Sequence, residues 1–435
     1  MPPRNSLVMD LLRLYQIPHS HSFIIFARLV KIFARLDFFC YNPARMKKIG
    51  ILIERQRAYG RQLCEGVVHF AQARKDWTLN MLEWSDLQRP EYLKKFDGFI
   101  ARLINDQVAE TLQRVRKPIV DVYVSKERKG VASSDQLARR IGQMAVRHFV
   151  EHMFTRFAFF GHEGKRYSDL RKNAFIRCLQ LNHFSCDVYK PPKSALRSFD
   201  EIVLQKERYQ VGLERKAILR WLSRLEKPVA IFCSHDLRAY QLCDICRDIG
   251  IRVPTEVAIL GVDNDSLVCN FTDPTLSSID PNAEGIGFAA AEELEHLIDG
   301  HPPRSIRINP GQLIERGSTK TYPVNPPWLS DALVLIRGSV AKRLTATDVY
   351  KHVGKSHTLV NQAFHDVLNT TISREIAATR IAEAKRLLRT SLLPLSVVAR
   401  QSGFASMEYF TNSFSAAVGQ SPSVYRAGDV RGSSV

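Results

Sequence analysis

Between Leu395 and Tyr425 the chain has few ways to fold. The segment reads Leu395-Ser-Val-Val-Ala-Arg-Gln-Ser-Gly-Phe-Ala-Ser-Met-Glu-Tyr-Phe-Thr-Asn-Ser-Phe-Ser-Ala-Ala-Val-Gly-Gln-Ser-Pro-Ser-Val-Tyr425. Val397, Val398 and Ala399 are the apolar part of a short helix. Gly403 stops it, because glycine accepts the left-handed conformation found just past a helix end. Phe404 reads as a core plug, and Ser406 offers an N-cap oxygen to a second helix from Met407. Tyr409, Phe410 and Phe414 recur at helical spacing and predict one buried face. Glu408, Thr411, Asn412 and Ser415 are left facing elsewhere. A short helix, a glycine turn and a second helix with a polar face make a helix-turn-helix, whose polar face can reach base edges. An ordinary helical hairpin shares the glycine and the apolar face, so this reading needs independent support.

Support comes from internal duplication. Thr345–Leu368 repeats the pattern: a short helix at Asp348–Val353, a turn at Gly354, and a second helix at His357–Val367 with Phe364 inside it. Ile372–Leu388 is a long helix between the two units. Ala378, Ile381, Ala382, Ala384, Lys385 and Leu388 include its core face. Two such units joined by one helix set two recognition helices on one side of a duplex, about one turn or 34 Å apart. The candidate base readers are Ser356, His357, Thr358, Asn361 and Gln362 in the first unit. In the second they are Ser406, Met407, Glu408, Thr411 and Asn412. Asparagine and glutamine can pair bidentately with adenine. Arg380, Lys385, Arg386, Arg389 and Arg400 suit phosphate contacts or a solvated face.

The elements Gly403-Phe404, Tyr409-Phe410, Phe414 and Gly419-Gln-Ser-Pro-Ser-Val-Tyr-Arg426 fall in register with the signature of AraC/XylS-type DNA-binding domains. The resemblance implies two helix-turn-helix units reading operator DNA, and a backbone contact from Arg426, which follows the closing tyrosine. A formal charge of +18 agrees with a polyanionic partner, although basic surfaces also occur without one.

Ahead of this region the chain alternates apolar strand-like runs with helical patterns. Strands are predicted at Ile49–Ile53, Thr78–Leu82, Phe96–Ala101 and Ile119–Val124. Helices are predicted at Tyr59–Ala73 and over 135–151. The same grammar restarts with Arg156–Phe160, a helix from Asp169, a helix over 214–225 and a strand at Pro228–Phe232. A helix at Leu237–Ile249, a strand at Val257–Leu260 and a helix over 284–299 follow. Such alternation predicts parallel strands with crossover helices, as two Rossmann-like halves around a cleft.

Open α/β sheets bind ligands beyond the carboxyl ends of their strands. That rule selects Glu54, Arg55 and Arg57, then Asp121, then His235 and Asp236, then Asp263 and Asn264, with Arg171 near the start of a helix. Carboxylates, amides and arginines together suit a polyhydroxylated ligand, and Tyr59 or Tyr123 can cover a sugar face. Each of these residues is equally placed to cap the next helix. Gly261-Val-Asp-Asn264, with Pro274-Thr-Leu-Ser-Ser-Ile279, resembles the inducer-binding domain of LacI/GalR-type repressors. Ser134-Asp-Gln136, Gly142, Ala145 and His148-Phe149 fit the same pattern, in a helix. The resemblance implies that Asp263 and Arg171 contact the sugar and that Asp236 belongs to a polar pair. His235 stands where that family commonly has asparagine.

The expected architecture is therefore an α/β two-lobe sensor followed by an all-α double helix-turn-helix domain. The expected boundaries are 46–320 for the sensor, 321–329 for a proline-rich linker built on Pro323-Val-Asn-Pro-Pro327, 330–427 for the DNA reader and 428–435 for a tail. Residues 1–45 read as a leader preceding a natural start at Met46, or as a membrane-surface or targeting helix. Eight dispersed cysteines read as reduced thiols, with Cys243 and Cys246 buried rather than metal-binding. No stretch is long and apolar enough to predict a membrane span. A sensor placed before an AraC-type reader resembles bacterial regulators of pentose catabolism. Tyr59-Gly-Arg-Gln62, Glu65-Gly-Val67 and Arg156-Phe-Ala-Phe-Phe160 fit that group. The resemblance implies a cytoplasmic homodimer activated by a sugar such as D-xylose, binding operator DNA and recruiting RNA polymerase. No cofactor or metal is expected. The rival readings are a non-sugar effector, or an enzyme on a Rossmann-like fold. For the latter the chain offers no glycine-rich phosphate loop after Ile49–Ile53 and no nucleophile elbow.

Overall fold

The structure is a computed structural model that describes residues 46–192 and 203–430. The expected leader over 1–45 lies outside the described residues. The first lobe carries strands β1 (Lys47–Leu52), β2 (Trp77–Met81), β3 (Gly98–Ala101), β4 (Ile119–Asp121) and β5 (Ala132–Gln136). The second carries β6 (Phe157–Phe160), β7 (Asp187–Val188), β8 (Val229–Cys233), β9 (Val257–Val262) and β10 (Ser277–Ile279). β11 (Ser305–Ile308) returns to the first sheet and β12 (Leu313–Ile314) to the second. The sheet orders are β11-β5-β4-β3-β1-β2 and β12-β10-β9-β8-β6-β7. Every described pairing is parallel except that of β10 with β12.

Helices cover both faces of each sheet, which is why the strands are apolar on both sides. In lobe one, α1 (Ala58–Arg74) flanks one face, while α2 (Pro90–Leu93) and α3 (Asp106–Arg114) flank the other. In lobe two, α4 (Ala138–Glu151) and α5 (Arg166–Leu181) pack opposite α6 (Val203–Arg224) and α7 (Asp236–Asp248). A short helix, α8 (Ser266–Phe271), follows β9, and α9 (Ala283–Ile298) packs back on α1 in lobe one. The chain thus crosses between lobes three times: after β5, after β10 and after β11. Gly66 and Gly287 make the α1–α9 approach possible, since a Cβ at either would lie about 2 Å from a backbone carbonyl oxygen.

Two expectations need correcting. Asp135 and Gln136 are the end of β5, not the start of a helix; α4 begins at Ala138. The strand Ala-Ser-Ser-Asp-Gln lacks an apolar run, yet all five residues are buried between β4 and β11. The connector is also no free spacer. Pro327 occupies the first turn of α10 (Pro327–Gly338), where its missing N–H costs nothing, and Tyr322 is buried in the helical domain's core.

The helical region continues with α11 (Ala346–Val353), α12 (His357–Leu368), α13 (Ile372–Thr390), α14 (Leu395–Gln401), α15 (Met407–Val418) and α16 (Pro422–Val430). α13 carries two separate cores. Ile372 and Ile376 pack with Val349, Val360 and Phe364, whereas Ile381, Ala384 and Leu388 pack with Val398, Phe404, Phe410 and Phe414. Gly354 and Gly403 adopt positive φ, 61° and 79°, as the two turns require. Tyr409 is not part of the buried face: it is 52% exposed, because Phe410 and Phe414 already fill the stripe toward α13.

Candidate functional sites: an interlobe cleft and a paired helix face

The cleft is built on two arginines and the carboxylates near them. Arg171, in the first turns of α5, is buried. Its guanidinium donates to the Ser234 carbonyl at the end of β8 and to Gln136 Oε1 at 2.6 Å, and lies 3.6 Å from Asp263 Oδ1. Asp263 follows β9 with φ of 119°, a strained backbone of the kind concentrated at ligand sites. Burial raises its carboxyl pKa, while Arg171, Arg57 and Arg102 oppose the rise. Tyr59, one residue into α1, shares this field with Asp135, Arg102, Arg171 and Asp263. Burial, with Asp135 adding to it, pushes the Tyr59 hydroxyl well above its usual range, so it stays a neutral donor. Arg102 pairs with Glu54 and lies over the Tyr123 ring at 4.7 Å. Tyr167 packs beside Arg171 at 5.8 Å. Arg171 Nε, Arg102 Nε and Ser234 Oγ are buried without a hydrogen-bond partner. Such donors are rare in folded proteins and mark where a ligand's oxygens would be accepted.

The lobes meet across this cleft. Ala58 N–H, at the N-terminus of α1, donates to Asp265 Oδ2 of lobe two at 3.2 Å. Gln136 reaches Arg171, and Arg166 lies 3.5 Å from Glu127. These contacts join the two lobes.

Several residues selected from the sequence are used by the fold itself. Asp236 accepts from Ser278 Oγ at 2.5 Å and from Asp265 N–H at 2.8 Å, so both oxygens hold the β9–β10 end of lobe two together. His235 caps α7 by accepting from Arg238 N–H at 3.0 Å, and burial holds its imidazole neutral. Asp121 accepts from the N–H groups of Leu103 and Tyr123 and faces Arg128 at 3.6 Å. Asn264 Oδ1 accepts from Arg316 at 2.8 Å. Arg57 occupies the N-cap position of α1 within the electrostatic field of Asp263 and His235. The cleft residues that sequence reasoning missed are Gln136, Asp135, Arg102, Ser234 and Tyr167. Arg102 and Ser234 follow β3 and β8, so the strand-end rule could have found them. Gln136 was hidden by the helix prediction.

Cys243 and Cys246 are buried free thiols, and among the described residues no cluster has the makings of a metal site. Among the described residues no helix is long and apolar enough to cross a membrane.

The second site is the outer face of α12 and α15. Ser356 and Ser406 cap them, accepting from Leu359 and Tyr409 N–H. His357, Thr358, Asn361 and Gln362 are exposed, as are Met407, Glu408 and Asn412, while Thr411 is half-buried and donates to the Met407 carbonyl at 2.9 Å. Arg400 is exposed at the end of α14, and Arg426 is half-buried with Nε and Nη2 unpartnered. Of the candidate phosphate arginines, Arg380 donates to the Leu344 carbonyl, and Arg386 pairs with Glu383.

A third set of contacts lies between these two sites. Arg316, which holds Asn264 beside Asp263, is followed back along the chain by Glu315, whose carboxylate meets His152 Nε2 at 2.8 Å. The His152 ring stacks on Tyr322 at 5.0 Å. Arg337 of α10 lies over the Tyr322 ring, 4.6 Å from its centroid, and donates to Glu375 of α13 at 2.9 Å and to the Glu151 carbonyl at 2.9 Å.

Fold and sites together define a class: a periplasmic-binding-protein-like sensor followed by a helix-turn-helix reader. A family profile described as a periplasmic binding protein-like domain matches residues 146–319, and one described as a helix-turn-helix domain matches 349–428. The chain is similar over most of its length to xylose operon regulatory proteins. It is 28% identical to the one from Escherichia coli strain K12 over 393 residues, covering 87% of this chain and 96% of that one. It is 26% identical to the one from Haemophilus influenzae over 394 residues, covering 87% and 98%. The solved structure of the xylose-binding transcription activator xylR matches 88% of this chain and 98% of its own, at 26% identity and a TM-score of 0.55.

Proposed function

We propose that this chain is a cytoplasmic transcription activator that senses a sugar, D-xylose or a close pentose, and binds operator DNA as a homodimer. The observation that carries the reading is the Arg171–Asp263 pair, set between lobes among unpartnered donors and joined by continuous contacts to the helix that holds both recognition units. Asp263 would accept from adjacent sugar hydroxyls, Arg171, Arg102 and Ser234 would donate to sugar oxygens, and Tyr59 or Tyr167 would cover an apolar ring face. The names of the homologues support xylose as the effector.

A ligand bonded to both lobes favours the closed form by the contacts it makes only there. Closure reorients the β10–β12 end of lobe two, and Glu315, His152, Tyr322 and Arg337 transmit that change to α13. The paired reading helices then reach successive major grooves, and the bound activator recruits RNA polymerase. Coupling is reciprocal, so operator DNA must tighten sugar binding. Calorimetry with a panel of pentoses and hexoses, with and without promoter DNA, tests this. Heat with xylose, and tighter binding when DNA is present, is expected. No heat with any sugar would remove the effector half of the reading, and consumption of the sugar would replace it with an enzyme.

A further inference from the structure

The first reading unit has an aromatic support for two of its candidate base readers that the second lacks. Tyr350 is in the last turn of α11, with its ring packed against the core formed by Val349, Val360 and Phe364. From that anchorage it touches two candidate base readers. The His357 imidazole lies on the Tyr350 ring with centroids 4.0 Å apart and planes 23° from parallel. The Tyr350 hydroxyl donates to Asn361 Oδ1 at 2.9 Å. His357 and Asn361 are four residues apart on α12, hence on one face, and both are exposed. The second unit has no counterpart: Ala399 occupies the matching position before the turn, and Thr411, matching Asn361, is bonded to its own helix at the Met407 carbonyl.

We propose that Tyr350 is a positioning residue for sequence reading, and that it presents His357 and Asn361 to the major groove as a pair of donors. The proposal rests on the DNA-binding reading of this domain. With its carbonyl oxygen held by the tyrosine hydroxyl, Asn361 leads with its NH2 group. Bidentate pairing with adenine needs the amide oxygen to accept from N6 as well, and here that oxygen already accepts from the Tyr350 hydroxyl. A lone amide donor beside an imidazole N–H suits a base edge made of acceptors, which in the major groove is guanine O6 and N7. The ring stack lowers the rotamer freedom of His357, so less entropy is lost when it meets a base. The first unit therefore selects a guanine-containing step, and its selectivity depends on a residue that touches no base.

The test is selection from a library of randomised DNA duplexes by the full-length protein, followed by binding measurements on the enriched site and its single-base variants. Wild type should enrich guanine at the position facing Asn361. Tyr350→Phe keeps the stack and loses the hydroxyl, so discrimination at that one position should fall roughly five- to tenfold, the scale of one base-directed hydrogen bond. Tyr350→Ala should relax the position facing His357 as well. In both variants the bases read by the second unit, the salt slope and the thermal midpoint of the Tyr350→Phe protein should stay as in wild type. Three outcomes overturn the assignment: adenine at the Asn361 position, an unchanged preference in Tyr350→Phe, or an equal loss of affinity for every sequence. If wild type enriches nothing, the DNA-binding reading itself fails, which is a separate result.

Discussion

The interlobe cleft and the outer face of the reading helices are both polar, but they are polar in opposite ways. In the cleft the side chains are buried and spend most of their hydrogen bonds on one another: Asp236 on Ser278 and Asp265, Arg171 on Ser234, Gln136 and Asp263. On α12 and α15 all the readers but the half-buried Thr411 are exposed and, Tyr350 and the helix caps aside, few side chains hold them. A buried polar group is worth several kcal/mol to whatever satisfies it, and removing it leaves partners stranded. An exposed one exchanges a water for a base at small net gain. The cleft should therefore respond to substitution with large, all-or-none effects, and the helix face with graded ones.

The largest effect is expected at the pair that spans both roles. Asp263→Asn and Arg171→Met should each weaken sugar binding by roughly a hundredfold or more, the scale for loss of a charge-assisted contact in a dry site. Calorimetry with xylose reads it directly. Asp263→Asn should leave the melting temperature close to wild type, because Arg171 keeps its bonds to Ser234 and Gln136 and burial already opposes the charged form of the Asp263 carboxyl. An unchanged affinity would mean that the cleft polarity is purely structural.

Asp236 is the contrasting carboxylate. Asp236→Ala strands the Ser278 hydroxyl and the Asp265 N–H, and should cost about 3 kcal/mol of stability in chemical denaturation. A stable variant that merely fails to bind sugar would instead place Asp236 on the ligand.

These two aspartates show what could be read from the sequence and what could not. Both follow an apolar strand, and the strand-end rule selects both alike. Only the tertiary partner distinguishes them: Ser278, which comes from another strand, meets one, and Arg171 meets the other. The same limit hid β5, whose Ser-Ser-Asp-Gln composition carries no strand signal because its burial comes from neighbours on both sides. The helix-turn-helix units were legible because their information is local. A cap, a glycine at positive φ and a buried pair, Val360 with Phe364 or Phe410 with Phe414, lie within one short stretch, and the opposite face is polar by exclusion. Tyr409 is the exception, an aromatic at helical spacing displaced from the stripe by two phenylalanines.

Burial also predicts a pH response. His148, hydrogen-bonded to Thr319 at 2.8 Å, is pushed down to about 3, first by burial and then by His152 beside it. Its folded pKa lies below its unfolded value, so acid favours the unfolded chain. The loss begins as pH falls through about 6.5 and this one group should account for roughly 2 kcal/mol by pH 5. Asp263 and Asp236 shift upward and oppose the trend, so the measurement is the difference between wild type and His148→Gln melting curves from pH 7.5 to 5. Parallel curves would show that His148 titrates freely.

The contacts between cleft and helix face should behave as neither. Arg337→Ala removes the link from Tyr322 and Glu151 to Glu375 without touching sugar or DNA. Sugar affinity and DNA affinity measured separately should stay within about twofold of wild type. The tightening of sugar binding by promoter DNA, expected at five- to a hundredfold for an ordinary coupling energy, should shrink to near unity. Coupling that survives in Arg337→Ala would mean the signal travels through the dimer interface rather than through α10.

The smallest effects belong to the exposed face, where they separate by kind rather than by size. Asn412 is exposed on α15, so Asn412→Ala should leave stability unchanged and cost about 1 kcal/mol on the preferred base alone. Arg400 ends α14, exposed. Arg400→Ala should weaken binding to every duplex alike and lower the slope of log affinity against log salt by roughly one, the release of one counterion. Titrations of cognate and scrambled duplexes at several salt concentrations distinguish the two. If Asn412→Ala instead changes the salt slope while Arg400→Ala changes base preference, α15 is docked in the opposite sense, with its polar face on the backbone and the end of α14 toward the groove.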